Sequence, residues 1–140
     1  ALSGFRNMQA SALVSLAVNA NVRLEAPDRA RGYYERAYEL RKDEFMRTLL
    51  ACYRARSGAE TEARALLRTI RPGPGTWYNL ACTHALLGDV EEALGFLKSE
   101  LELNHASLES RARQQEWAAE DPDLASLRDD PRFRRLVRVD

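Results

Sequence analysis

The side chains able to do chemistry are few in this sequence, and their spacing does not bring them together. Cys52 and Cys82 have no cysteine or histidine neighbours at the spacing of metal ligands, and two cysteines are too few for a disulfide framework. His84 and His105 are 21 residues apart, and no motif joins them as a metal pair or marks either as a general base. We therefore expect no metal and no cofactor, with both histidines facing solvent or capping helices.

Two further patterns also fail to indicate catalysis. The Pro-Gly-Pro-Gly run at residues 72–75 lacks the Lys-Ser or Lys-Thr that completes a phosphate-binding loop. Acidic residues such as Glu91, Glu92 and Glu102 occur on helix surfaces without a nucleophile or a glycine-rich loop beside them. The sequence predicts that the protein is not an enzyme.

Composition excludes other classes of protein. The chain has 140 residues, of which 45% are apolar, so it can bury a continuous core. The 21 basic and 21 acidic residues balance, which disfavours binding to nucleic acid or anionic lipid. Ala12–Val18 is far shorter than the roughly 20 apolar residues that cross a bilayer, and Ala1–Ala10 does not resemble a secretory signal. We expect a cytoplasmic protein without a membrane segment.

Apolar residues recur at helical spacing along nearly the whole chain, so we predict an all-α fold. Asp43 should cap one helix, and Gly88 should end another. Asp89 and Glu92 have the spacing of a capping box. The predicted helices span about residues 9–24, 27–42, 43–58, 60–71, 76–87, 89–103 and 107–119.

The C-terminal tail carries the sequence Asp-Pro twice, at residues 121–122 and 130–131. An Asp cap followed by Pro in the first turn begins a helix, so two short helical turns are expected here. The tail should fold back onto the last helices through four apolar anchors, Leu124, Leu127, Phe133 and Leu136.

The sequence repeats itself with a period of 30 residues. Leu50-Ala51, Gly58, Ala63 and Leu67 recur as Leu80-Ala81, Gly88, Ala93 and Leu97. A fixed period of this length is typical of stacked helical hairpins. Small residues such as alanine allow the two helices of a hairpin to approach closely.

These residues resemble the tetratricopeptide repeat, most clearly in the run Trp77-Tyr78-Asn79-Leu80-Ala81 followed by Gly88, Ala93 and Leu97. The resemblance implies a right-handed α-α superhelix of about seven helices plus short C-terminal turns. It implies one domain over residues 1–140, in which residues 10–42, 43–73 and 74–104 are repeats and residues 105–140 form a capping helix and tail. The period of 30 is shorter than the usual 34 of the family. The Asp-Pro-Asp-Leu tail looks like the ending of many bacterial proteins with such repeats.

A stack of hairpins presents the first helix of each pair on a concave wall, which is the expected binding surface. By analogy with the family, the wall-lining side chains are Phe45, Thr48, Cys52, Arg56, Tyr78, Asn79, Cys82 and Leu86. In some family members an Asn clamps a partner's C-terminal carboxylate, and Asn79 with Arg113 would be the nearest match. We favour an ordinary helix-start role for Asn79, because the first repeat has no matching Lys and Asn.

Cys52 and Cys82 occupy equivalent places in adjacent repeats, where packed helices are roughly 8 to 10 Å apart. A disulfide needs Cα atoms closer than about 7 Å, so both thiols should be free. Arg132, Arg134, Arg135 and Arg138 make a basic tail that we expect to remain solvated while its apolar residues dock.

The function expected from the sequence is that of an adaptor or scaffold module that binds a peptide or helix of a partner protein. Two alternatives remain open at this stage. One is a regulatory or substrate-positioning domain excised from a larger enzyme, which the missing initiator Met permits, and the other is a repeat domain that associates with itself as a homo-oligomer.

Overall fold

The structure, a computed structural model, describes residues 8–17 and 27–138, and it confirms the all-α prediction for these residues. Within this part of the chain no residue lies in a β-strand. The helices are α1 (residues 8–17), α2 (Pro27–Leu40), α3 (Glu44–Arg56), α4 (Glu60–Leu67), α5 (Trp77–Leu87), α6 (Val90–Leu103), α7 (Leu108–Glu120) and α8 (Pro131–Val137). A 3₁₀ helix, Pro122–Leu127, connects α7 to α8.

Side-chain caps begin several helices where the sequence predicts them. The Asp43 carboxylate accepts a hydrogen bond from the Met46 amide at 2.8 Å. Asp121 caps the 3₁₀ helix and Asp130 caps α8, each followed by proline in the first turn. Proline is suited to that turn, because its missing amide hydrogen would have no partner there.

The predicted capping box at the start of α6 is wrong. The Asp89 side chain makes no capping bond to the helix. Its carboxylate lies 2.9 Å from Nδ1 of His84 and so joins the end of α5 to the start of α6. Gly88, between these two residues, ends α5 in the left-handed conformation as predicted, with φ of 83°.

Helix α4 is shorter than its prediction. Helix α4 ends at Leu67, several residues before the predicted end near residue 71. The backbone tightens after Leu67, because the amides of Thr69 and Ile70 bond to carbonyls three residues earlier. For the first helix, predicted over residues 9–24, only residues up to 17 are described.

The chain forms two compact units, Ala1–Arg71 and Pro72–Asp140. The division falls at the beginning of the Pro-Gly run, which the sequence identifies as a loop. The sequence predicts one domain over residues 1–140, whereas the structure groups the residues into these two units.

In the first unit, α2 packs on α3, and α3 packs on α4. The core around α1 to α3 includes the buried residues Ala10, Leu13, Ala37 and Met46. A second layer is aromatic, with the rings of Tyr34 and Tyr53 stacked at 3.9 Å between centroids. Arg56 lies 3.8 Å above the Tyr53 ring, in cation-π contact.

The second unit is built around the hairpin of α5 and α6, with the rest of the chain packed on it. The 3₁₀ helix contacts α5, and α8 contacts both α6 and α7. Leu124 and Leu127 are fully buried, Phe133 is 2% exposed, and Leu136 is half-buried. The prediction of apolar anchors in the tail is confirmed for Leu124, Leu127 and Phe133, whereas the second buried residue of α8 is Val137 instead of Leu136.

The two hairpins α3–α4 and α5–α6 repeat the same construction at a spacing of 30 residues. The alanines of the repeated pattern, Ala51, Ala63, Ala81 and Ala93, are all 0% exposed. Gly58 and Gly88 end the first helix of each hairpin with φ of 85° and 83°. A left-handed residue at this place favours glycine, which lacks the Cβ that would clash.

Replacing Ala93 with leucine should destabilise the second unit by about 1 to 3 kcal/mol, because the larger side chain overpacks the α5–α6 contact. Chemical denaturation followed by circular dichroism measures this change. Ala112→Leu is the matched control, because it adds the same side chain at an exposed position of α7. Equal stability of the two variants would show that α5 and α6 do not need a small residue at position 93.

Candidate functional site

The predicted wall residues of α3 are only partly accessible. Phe45 is 43% exposed, whereas Thr48 and Cys52 are 0% and 2% exposed. The Thr48 hydroxyl donates to the Glu44 carbonyl at 2.8 Å, which satisfies it within its own helix. Arg56 is half-buried over an aromatic ring. The expectation that Thr48 and Cys52 line an open surface is therefore corrected.

The predicted wall residues of α5 are covered by the C-terminal part of the same unit. The Tyr78 hydroxyl donates to Oδ2 of Asp121 at 2.7 Å. Cys82 is 2% exposed, with its sulfur 3.8 Å from the same carboxylate oxygen. Nearby, the Ser126 hydroxyl donates to the Ala85 carbonyl at 3.2 Å. The start of the 3₁₀ helix therefore occupies the face of α5 that the sequence assigns to a partner.

Asn79 and Leu86 are the remaining predicted residues of α5, and both are half-buried. The Asn79 backbone carbonyl accepts a hydrogen bond from the Thr83 hydroxyl at 2.6 Å. Arg113, the possible clamp partner, is paired with Glu109 at 3.0 Å on the exposed side of α7. The structure gives neither residue a contact that resembles a carboxylate clamp.

The Tyr78 hydroxyl is held in its neutral form. Burial, together with Cys82 and the Asp121 carboxylate, raises the pKa of Tyr78 well above its ordinary value. A neutral phenol is what the contact needs, since only the protonated hydroxyl can donate to the carboxylate. The Tyr78 to Asp121 bond thus fastens the 3₁₀ helix to α5.

Cys82, Asp121 and Asp123 form a cluster of possible metal ligands, with one donor atom of each within 4.8 Å of the others. A thiolate with two carboxylates is a donor set that divalent transition metals accept. Here, however, Asp121 receives hydrogen bonds from the Tyr78 hydroxyl and the Asp123 amide. These two bonds account for the cluster without a metal, because one caps the 3₁₀ helix and the other holds that helix against α5.

A second polar cluster lies at the corner between α6 and α7, and no motif in the sequence predicts it. Nε2 of His105 lies 3.1 Å from the Glu100 carboxylate, and Nδ1 lies 2.7 Å from the Ser110 hydroxyl. The Asn104 amide also donates to Glu100. The order of hydroxyl, imidazole and carboxylate is that of a nucleophilic triad. Yet all four residues come from one eleven-residue segment, and they join the end of one helix to the start of the next.

The sequence predicts that both histidines face solvent or cap helices, and the structure places them at helix ends instead of in solvent. The side chains of His84 and His105 are 16% and 15% exposed, and each contacts a carboxylate. His84 also stacks on Phe96, with 5.6 Å between the ring centroids. Spacing along the chain hides these contacts, because each partner lies five residues away across a helix end.

The prediction of free thiols is confirmed. Cys52 and Cys82 are both unpaired with another cysteine, and both are buried. Burial limits the access of thiol reagents to both residues.

An open groove of about 490 Å³ runs between α6 and α8 in the second unit. This volume is within the range of roughly 300 to 1,000 Å³ typical of ligand-binding clefts. Helix α6 lines it with Glu91, Leu94, Gly95, Lys98 and Glu102, and α8 lines it with Arg132, Arg135 and Leu136. The α6 residues share one face, because their spacing of three or four follows the helical period.

Gly95 lies on the floor of this groove, and neither its backbone conformation nor its packing requires a glycine. It is exposed in the interior of α6, and its φ is not in the left-handed region. A Cβ added there would meet no atom within 4 Å. Glycine at such a position costs the helix about 1 kcal/mol relative to alanine. The glycine leaves the floor of the groove open at the expense of helix stability.

Only some of the charged side chains around the groove form ion pairs with other described residues. Arg132 forms a bidentate pair with Glu91 at 2.8 and 2.9 Å and also bonds to Asp130. Its hydrogen bonds hold the pKa of the Asp130 carboxyl below the ordinary value. Lys98 and Arg135, in contrast, are exposed and make no ion pair with the described residues. Two cations without an ion pair in the described part of the chain therefore line the same groove.

No protein-family model, curated protein or solved structure matches this chain. The resemblance to the tetratricopeptide repeat consequently depends on the repeated residues themselves. Among the described helices, none has the length and apolar character needed to cross a membrane.

Tyr78→Phe should destabilise the second unit by about 1 to 3 kcal/mol, because the buried Asp121 carboxylate loses a donor. Urea denaturation followed by far-ultraviolet circular dichroism, which records the helices of both units, measures the loss. Tyr38→Phe is the matched control, since the Tyr38 hydroxyl has no hydrogen bond within the described residues. If both variants were equally stable, the contact between Tyr78 and Asp121 would not hold the tail in place.

Both thiols should react slowly with a thiol reagent in the native protein and rapidly after unfolding, because Cys52 and Cys82 are buried. Mass spectrometry after alkylation counts the modified residues. Two alkylations without reductant in the unfolded protein are expected. A mass two hydrogens lower, with no alkylation until reductant is added, would instead reveal a disulfide.

Proposed function

We propose that this chain is a tetratricopeptide-like protein-interaction module that holds a segment of a partner polypeptide and serves as an adaptor or scaffold. The proposal includes no catalytic step and no cofactor. It places the protein in the cytoplasm, where free thiols such as Cys52 and Cys82 persist.

The observation that carries the proposal is the open groove between α6 and α8. It combines an apolar floor at Leu94, Gly95 and Leu136 with charged side chains along its edges. Peptide-recognition sites commonly pair apolar pockets with polar groups that fix orientation. The groove lies on helices, which can hold a binding surface more rigidly than loops.

Exposed apolar side chains support the same role. Leu108 and Trp117 on α7 are 76% and 61% exposed, and Leu103 at the end of α6 is 72% exposed. Phe45 is the exposed member of the predicted wall of α3. Aromatic residues are enriched in protein interfaces, so Trp117 is the natural secondary contact within the second unit.

The test is selection from a displayed library of random 12-residue peptides on the immobilised protein. Enriched peptides, synthesised with a fluorophore, should bind in solution with Kd values of about 1 to 100 µM, as measured by fluorescence anisotropy. Scrambled versions of each peptide are the control, because they keep composition and charge while losing the order of contacts.

The proposal is wrong if no selected peptide binds more tightly than its scrambled version. Sedimentation of the protein alone distinguishes the remaining explanation for the exposed apolar residues. A concentration-dependent dimer with no peptide binding would favour self-association over an adaptor role.

A further inference from the structure

We infer that the groove between α6 and α8 takes an acidic peptide segment whose single large apolar side chain sits over Gly95. This inference rests on the proposed function and names the class of ligand for it. It depends on two observations, the open floor of the groove and the two cations beside it that have no ion pair in the described part of the chain.

The floor of the groove favours an apolar side chain on the ligand. Leu94 and Leu136 line the groove together with Gly95, where an added Cβ would have no atom of another described element within 4 Å. Burying a partner's leucine or phenylalanine there removes apolar surface of both molecules from water. Because Gly95 has no side chain, the incoming group can approach the helix backbone.

The charged side chains along the edges of the groove favour a ligand with negative charge. Arg132 is shared between Glu91 and Asp130, so this cation of the groove already has carboxylate partners within the chain. Lys98 and Arg135 have no such partner in the described chain, and both line the groove. Carboxylates on the ligand would accept charge-assisted hydrogen bonds from these two cations.

Glu102 makes the two ends of the groove differ in charge, which favours one orientation of the ligand. It is exposed on α6 one turn beyond Lys98, and it has no ion pair among the described residues. A ligand carboxylate beside Glu102 would be repelled, whereas a lysine or arginine there would be attracted. The preferred segment therefore carries acidic residues next to its apolar anchor and tolerates a basic residue at one end.

The experiment repeats the selection from the random 12-residue library on four proteins in parallel. These are the wild type, Gly95→Leu, the double variant Lys98→Glu with Arg135→Glu, and Ala112→Leu. Ala112→Leu is the matched control, because it adds an exposed leucine on α7 outside the groove. Gly95→Leu should melt at or above the wild-type temperature, since leucine is the better helix former, so a lost interaction would not reflect unfolding.

Peptides enriched on the wild type should be acidic and contain a leucine, phenylalanine or similar residue. Their affinity should fall at least tenfold on Gly95→Leu and remain unchanged on Ala112→Leu. The charge-reversed variant should select basic peptides in place of acidic ones. Raising the salt concentration from 50 to 500 mM should weaken binding to the wild type, because exposed charges are screened.

Several outcomes would overturn the inference. Enriched peptides that are neutral or basic, or that bind Gly95→Leu as tightly as the wild type, would leave the proposed function standing while removing this ligand class and this groove. Absence of any enriched peptide would remove both. Competition by a 12-nucleotide single-stranded RNA at equal affinity would show that the cations bind phosphate rather than carboxylate.

Discussion

Close approach of paired helices is the constraint on which both units depend. In each of the hairpins α3–α4 and α5–α6, two alanines are completely buried, and the first helix ends at a glycine with positive φ. The alanines set how near the helices can come, and the glycine allows the chain to reverse within a few residues. Larger side chains at these places would separate the helices, so the remaining apolar residues would lose their contacts.

Much of the helical framework can be predicted from the sequence, because its signals are local. Asp43, Asp121 and Asp130 cap helices as expected, and Gly58 and Gly88 end them. Each of these signals acts through backbone groups within a few residues. The failed prediction at Asp89 shows the limit of such signals. Its carboxylate bonds to His84 instead of the helix amides, and both alternatives have plausible spacing.

The candidate site is harder to predict, because it depends on contacts between distant parts of the chain. Tyr78 and Cys82 have the positions of wall residues in their repeat, yet the 3₁₀ helix some 40 residues later covers them. The groove that remains open involves α6 and α8, and its residues show no motif in the sequence. The sequence does contain one indication of the groove, which is a glycine at position 95 in the middle of a predicted helix. Such a residue lowers helix stability and therefore invites a search for a reason.

The division into two units has a spectroscopic consequence. Both tryptophans of the chain, Trp77 and Trp117, belong to the second unit, whereas four of the five tyrosines belong to the first. Emission excited at the red edge of the indole band therefore reports the state of residues 72–140 alone, while far-ultraviolet dichroism records every helix. Superimposable curves from the two signals would mean that the halves melt as one cooperative body, and displaced curves would give each half its own melting point.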